Sequence, residues 1–233
     1  MSEPAAQRIR PADAATLILL DHRGGAPRVL LGRRHAGHKF MPGKFVFPGG
    51  RLEASDRLMA IAGPLDASVE QKLNAVTRRP SPSFARALAL AAVRETFEET
   101  GLAIGARDCA PPRDPPQGAW SRFAATGVVP ALGGLDFLAR AITPPGRSKR
   151  FDTRFFVADA ASIAHREDGA VHESAELVEI VWIDLDKAAS LDLPAITRIV
   201  LGDLAHALAG GMSRSRPRPF YRELRRKWVR EEL

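Results

Sequence analysis

Ala91-Ala92-Val93-Arg94-Glu95-Thr96-Phe97-Glu98-Glu99-Thr100-Gly101-Leu102 is the stretch from which the rest of the chain can be read. At about 3.6 residues per turn, Glu95, Glu98 and Glu99 stand at i, i+3 and i+4 and project from one face of a helix. Leu90, Val93 and Phe97 fall on the opposite face and are expected in the core. One turn earlier the acidic stripe becomes Leu88, Ala91 and Ala92, whose small members let a sheet approach closely. Such a helix works against itself: like charges at i,i+4 cost roughly 0.2–0.5 kcal/mol per pair. Acids in the last turns also meet the negative end of the macrodipole, at ~0.3–1 kcal/mol. Arg94, four residues before Glu98, offsets part of this, and the remainder calls for a cation. Three convergent carboxylates suit a hard divalent ion, Mg²⁺ or Mn²⁺; a solvated acidic helix end is the other reading of these residues alone.

Outward from this stretch, Arg79-Pro80-Ser81-Pro82-Ser83 is a break, and Ser83 is read as the N-cap of a helix running to Thr100. Gly101 stands where a left-handed C-cap is expected. Upstream, Asp56 to Arg79 carries helical periodicity through Leu58, Ile61, Leu65, Val69, Leu73 and Val76, cut in two by Gly63-Pro64. Ala14 to Leu20 and Val29 to Leu31 read as a strand hairpin, and Lys44 to Phe47 as a short strand ending at Pro48-Gly49-Gly50. Downstream, residues 105–118 form a loop, Phe151 to Ala158 and Leu177 to Ile183 strands, and Pro194 to Ala209 an amphipathic helix. Interleaved strands and helices give an α/β or α+β class with a mixed central sheet.

Arg94-Glu95-x-x-Glu98-Glu99-x-Gly101-Leu102, with Phe47-Pro48-Gly49-Gly50 upstream, resembles the Nudix box, Gly-x5-Glu-x7-Arg-Glu-U-x-Glu-Glu-x-Gly-U with U aliphatic. The helical half matches at every fixed position except Thr96, which stands where an aliphatic is usual. The first half departs, because Arg94 follows Gly50 by 44 positions and about thirty residues are inserted. The acid expected six places after the glycine is met by Asp56, whereas counting back eight places from Arg94 lands on Arg86. Either Asp56 fills that role across the insertion or the role is vacant. A split box of this kind is similar to that of the Nudix subgroup containing the peroxisomal coenzyme A diphosphatases and their bacterial relatives. Residues 47–56, Ala141-Ile142-Thr143-Pro144 and 150–156 carry the likeness.

The resemblance implies a Nudix-like α/β/α sandwich over residues 12–211, with a short extension before it, a helical insertion at 57–82 and a basic tail at 212–233. It implies metal-dependent hydrolysis of a diphosphate linkage, with coenzyme A or an acyl-coenzyme A as leading candidate substrate. Glu98 and Glu99 would be ligands, joined by the carbonyl of Gly49 or Gly50, and Glu95 a further ligand or the base. Glu173 and Glu176 are candidates for a base on a later loop, and Arg94 for orienting a carboxylate of its own helix. Arg33, Arg34, His38, Lys39 and Lys44 form a basic run, with Arg33, Arg34 and Lys44 as candidate phosphate contacts; a solvated strand edge is the alternative. Arg150 and Arg154 flank Asp152 as a structural ion pair. The insertion is expected to form a helical flap that shapes substrate choice.

The 233 residues suit one medium domain, and 45% hydrophobic with 26% charged residues is ordinary for a soluble globular protein. The longest apolar runs, such as Ala14 to Leu20, are too short to span a bilayer. Met1 to Arg10 lack the pattern of a secretion signal, and the Glu-Glu-Leu end is not a peroxisomal address. The single cysteine, Cys109, excludes an intrachain disulfide and a multi-cysteine zinc site, and with no histidine nearby in sequence it is a weak nucleophile candidate. A cytoplasmic location is the expectation. The net charge of +7 is concentrated in residues 213–233, with eight Arg or Lys against three Glu. That segment is read as a solvated helix from Pro219 to Glu232. A Nudix-fold binding or regulatory module using this tail on nucleic acid is the competing reading.

Overall fold

Residues 9–38 and 41–233 are described by the computed structural model. At its centre β1 (Ala12–Asp21) runs parallel to β7 (Phe151–Asp159), in register from Ala12↔Phe151 to Leu20↔Asp159. The residues of β1 alternate between two cores. Ala15, Leu17 and Leu19 enter one; Ile18 and Leu20 enter the other.

On one side β7 pairs antiparallel with β6 (Asp136–Ile142), which takes β10 (Pro219–Leu224) in parallel, and β11 (Lys227–Glu232) closes that edge. On the other side β1 splays. Its Leu20–Asp21 end pairs with β2 (Arg28–Arg34), and residues Ala14–Thr16 pair with β4 (Gly49–Arg51). β2 also carries β3 (Phe45–Val46) and β9 (Leu177–Asp184), completing a mixed sheet of nine strands. A separate ribbon joins β5 (Leu102–Ile104) to β8 (Ile163–Arg166).

The first core is covered by α1 (Ala67–Asn74), α2 (Pro82–Thr100) and α3 (Ala119–Ala125), and the second by α4 (Ala195–Ala209). The layering is the expected α/β/α sandwich. In α2 the cap is Ser81 rather than Ser83: its Oγ accepts from the Phe84 N–H at 3.0 Å, and Pro82 takes the first helical position. Gly101 ends the helix at φ 72°, and a Cβ there would lie 2.1 Å from the Glu167 carbonyl oxygen. The position admits only glycine on both counts.

Two expected helices differ. Of the two pieces over Asp56 to Arg79 only Ala67–Asn74 forms a helix, where Val69 and Leu73 reach the core; Ser55–Arg57 is a single 3₁₀ turn. The terminal segment is a β-hairpin, not a solvated helix. Phe220 is buried beneath the Arg140 guanidinium, 4.4 Å from its ring centroid, and the open edge of β6 supplies backbone partners that a helix would forgo. Tyr221 stacks on Trp228 across the hairpin and donates to the Asp203 carboxylate. Arg225 and Arg226 make the turn with positive φ at both positions.

Candidate active site

The acids of α2 gather under the Gly49–Gly50 bend. Gly49 donates its N–H to Glu99 Oε2 at 3.0 Å. A Cβ on Gly50 would meet the Glu95 carboxyl at 2.4 Å, so the absence of a side chain lets β4 lie directly against the helix. Strand β4 is held from its other side by β1, through Ala15↔Gly50 and Thr16↔Gly49. Central sheet, bend and helix therefore set the position of the carboxylates together.

Arg94 is the hub. Its Nη1 donates to Glu95 Oε1 at 2.9 Å and to Glu98 Oε2 at 2.7 Å, and its Nη2 to the Arg51 carbonyl at 2.7 Å. Its Nε and Nη2 reach Asp56 at 2.7 and 3.1 Å. Asp56, fully buried, also accepts from Trp120 Nε1 at 3.0 Å and from the Glu53 N–H at 2.8 Å. Of the two residues that the spacing offers, Asp56 is the one paired with Arg94, while Arg86 donates to the Arg57 carbonyl. Burial opposes the Arg94 charge, but Asp56 and Glu95 beside it hold the guanidinium firmly protonated. Buried as it is, Arg94 holds the carboxylates of Asp56, Glu95 and Glu98 in place. Thr96, the departure from the aliphatic, is buried with its hydroxyl satisfied by the Ala92 carbonyl at 2.8 Å.

Burial raises the Glu95 carboxyl to about 7, with Glu98 and Glu176 adding to the rise and Arg94 opposing it. Burial likewise pushes Glu99 well above the ordinary carboxylate range; Glu176 and Glu95 add to this against the Gly49 N–H and Arg34. Around the bend, then, Asp56, Glu95, Glu98, Glu99 and Glu176 have the guanidiniums of Arg94 and Arg34 beside them, and Arg122 and His172 also line the recess. Among the described residues no three acidic, imidazole or thiol side chains already surround one point at ligand spacing. The donor chemistry nevertheless fits a hard divalent ion: carboxylates predominate, in excess of the positive charge, and two of them are destabilised by burial.

A cleft of about 440 Å³ opens beside the bend, between the sheet and the start of α4, and is lined by Gly49, Gly50, Glu95 and Glu176. An adjoining recess is lined by Glu53, Glu95, Glu98, Glu99 and Glu176. Glu176 belongs to both and pairs with Arg34 at 2.9 Å. Of the two late-loop candidates Glu176 is at the site; Glu173 is exposed and lines neither hollow. Of the basic run, Arg34 lines the cleft, but Arg33 pairs with Glu179 at 2.7 Å and Lys44 with Asp192, both outside it. Their charges are taken up by neighbouring strands and loops. Lys39 lies outside the described residues. The partner of Asp152 is Arg140, at 2.8 and 2.7 Å, with Arg154 at 3.3 Å; Arg150 instead donates to the carbonyls of Thr143 and Ile9. No residue of 57–82 lines either hollow. Val69 and Leu73 are core residues, so α1 packs against the core and not over either hollow.

Arg51, Lys149 and Phe151, also in the cleft, were not among the candidates; Arg51 directly follows the Gly-Gly pair, which was the available signal. The tail is less free than its composition suggests, with Arg218 paired to Asp136, Arg222 to Glu231 and Arg214 to Asp66. Among the described residues no helix is long and apolar enough to cross a membrane.

No protein-family model matches this chain. Among solved structures it is similar to a NUDIX hydrolase from Alicyclobacillus acidocaldarius, at 28% identity and a TM-score of 0.64, covering 89% of this chain and 96% of that one. It also matches a Nudix hydrolase from M. Smegmatis, RenU, at 20% identity and TM-score 0.46, over 85% of this chain and 86% of that one. The NUDIX domain of Shewanella oneidensis NrtR, complexed with ADP ribose, matches at 13% identity and TM-score 0.47, over 86% of this chain and 90% of that one. The assignment of fold rests on the first of the three.

Proposed function

We propose that this chain is a Nudix-type hydrolase that cuts the diphosphate linkage of a nucleoside diphosphate joined to another group, with coenzyme A or an acyl-coenzyme A as leading candidate. One observation carries the reading: Glu95 and Glu99 meet the Gly49–Gly50 bend beside a cleft, Arg94 ties Glu98 to Glu95, and Glu176 lines the same recess as all three. Glu98 and Glu99, with a carbonyl of the bend, are the proposed ligands of Mg²⁺ or Mn²⁺. When bound, such an ion offsets charge on the nonbridging oxygens and acidifies a water. Arg94 keeps Glu95 and Glu98 on one side of the helix. Glu95, raised to about 7, suits proton acceptance near neutrality, and Glu176 in the shared recess is the second candidate base.

The competing reading, a binding module using the tail on nucleic acid, has less support now that four of the tail's arginines, Arg214, Arg218, Arg222 and Arg230, are in ion pairs and its last strands complete the sheet. The deciding experiment is a panel of organic diphosphates, incubated with and without Mg²⁺, with products identified by mass. Cleavage at the diphosphate that depends on Mg²⁺ is expected. No turnover of any member, with salt-sensitive nucleic-acid binding instead, would favour the alternative.

A further inference from the structure

The C-terminal hairpin leaves the central sheet with an unpaired side. β11 is the last strand in its direction, and among the described residues nothing pairs with its outer edge. Just beyond the hairpin strands, Arg218 and Leu233 exchange both backbone hydrogen bonds. Alternation along an antiparallel pair then makes Phe220↔Glu231, Arg222↔Val229 and Leu224↔Lys227 the bonded pairs. Trp228, Arg230 and Glu232 therefore turn their N–H and C=O groups outward. β11 contains no proline, and its register with β10 runs without a bulge, so neither device blunts this edge.

The order of charge along the strand is the second observation. In Lys227-Trp228-Val229-Arg230-Glu231-Glu232 the cations precede the acids, and Arg225 and Arg226 of the turn extend the cationic end. The side chains of Arg226 and Lys227 make no hydrogen bond or ion pair among the described residues, whereas Glu231 is held by Arg222 and Glu232 by Arg230. Trp228, although stacked on Tyr221, is 45% exposed.

Such a strand complements its own reverse. Across a new antiparallel edge only the outward residues can exchange bonds, which leaves two registers that keep the strand paired along its length. With the axis at Arg230, like charges would oppose each other there. With the axis at Val229, Lys227 faces Glu231, Trp228 faces Arg230, Val229 faces Val229, and Arg226 comes level with Glu232. Opposite charges, a cation against an indole and a β-branched pair are each favourable across strands. Parallel pairing in register would set like against like.

We infer that a second copy of this chain is the partner of β11: the two strands pair antiparallel about a two-fold axis at Val229 and join both central sheets into one. The contact is isologous and closes as a dimer. Trp228 and Arg230 of the two copies supply about four backbone hydrogen bonds between them. Lysine on an edge ordinarily deters pairing, but here each Lys227 meets an acid of the other copy. The inference is independent of the proposed function, since no residue of β11 lines the cleft or the recess.

Sedimentation velocity of the whole chain, from micromolar to submillimolar concentration, should show a reversible monomer–dimer equilibrium. Lys227→Glu places like charges opposite each other at both ends of the contact and should raise the dissociation constant ~10-fold or more. Lys227→Arg should leave it unchanged. Lys227 is exposed and its side chain has no partner in the single chain, so neither substitution threatens the hairpin. Crosslinking in a Cys109→Ser background reads the register. Val229→Cys brings two thiols to the axis, with Cα atoms about 4.5 Å apart, and should give a disulfide-linked dimer on mild oxidation. Glu231→Cys, about 14 Å along the strand from its counterpart, should not. A chain that stays monomeric throughout overturns the inference. So does a dimer indifferent to Lys227→Glu, or one linked through position 231 rather than 229.

Discussion

Replacing Asp56 by Ala isolates the strut on which the site depends. The carboxylate is fully buried and accepts four hydrogen bonds: two from Arg94, one from the Trp120 indole and one from the Glu53 backbone. Removing one partner of a buried, hydrogen-bonded ion pair costs about 3–5 kcal/mol, because the other charge is left without compensation. The indole and backbone donors add to this, at roughly 1–3 kcal/mol for each group left unsatisfied, although Arg94 keeps Glu95, Glu98 and the Arg51 carbonyl and so recovers part. A net loss of about 4 kcal/mol is therefore expected, a large share of the ~5–15 kcal/mol that stabilises a typical domain. At about 2–4 °C per kcal/mol for a chain of this size, the melting temperature should fall by roughly 8–16 °C. Urea denaturation with linear extrapolation measures the loss, and a double-mutant cycle with Arg94→Met extracts the coupling. A loss below about 1 kcal/mol, in the range of a surface ion pair, would refute the idea that this pair is a buried strut. Near-zero coupling between the two positions would do the same.

Glu98→Gln and Glu99→Gln should each remove most diphosphatase activity while circular dichroism stays that of the parent; full turnover in either overturns the ligand assignment. Gly50→Ala drives a methyl into the Glu95 carboxyl, 2.4 Å away, and should lower metal affinity with little loss of secondary structure, as metal titration by calorimetry would reveal. In the metal-free protein the raised Glu95 favours its protonated form. Its contribution is therefore most favourable below the unfolded value, about 4.5, and is lost as pH rises through about 7. The loss is at most about 3 kcal/mol, so the metal-free melting temperature should drop between pH 5 and 8 and Mg²⁺ should restore it. A metal-free protein that gains stability over that interval contradicts the burial of Glu95.

Helix α2 was legible because its signals are local: a serine and proline at its start, a left-handed glycine at its end, and acids on one face. The C-terminal hairpin was not. Arg222, Glu223, Leu224, Arg225, Arg226 and Lys227 include strong helix formers, and an Arg-Arg turn lacks the Asn-Gly pattern that announces a hairpin. What decides the segment is tertiary, namely the edge of β6 and the burial of Phe220. Arg140 as partner of Asp152 was hidden for the same reason, since the two meet across β6 and β7. Glu176 could be a candidate but not a choice, because only the fold separates it from Glu173. That Arg51 and Lys149 line one cleft was invisible because they come from β4 and the approach to β7, far apart in the chain.

The pairing of Asp56 with Arg94 bears on how the segment between them can vary. The strut fastens the loop half of the box to its helical half within a few residues of where the intervening chain departs. The geometry of the bend is thus relayed through side chains, and the backbone joining the halves need not be taut. Lengthening a connection costs only about 0.6 kcal/mol per doubling. Extra residues spliced between Thr77 and Ser81, past the last core side chain of α1, should be absorbed there much as a longer cable is absorbed between two fixed pylons.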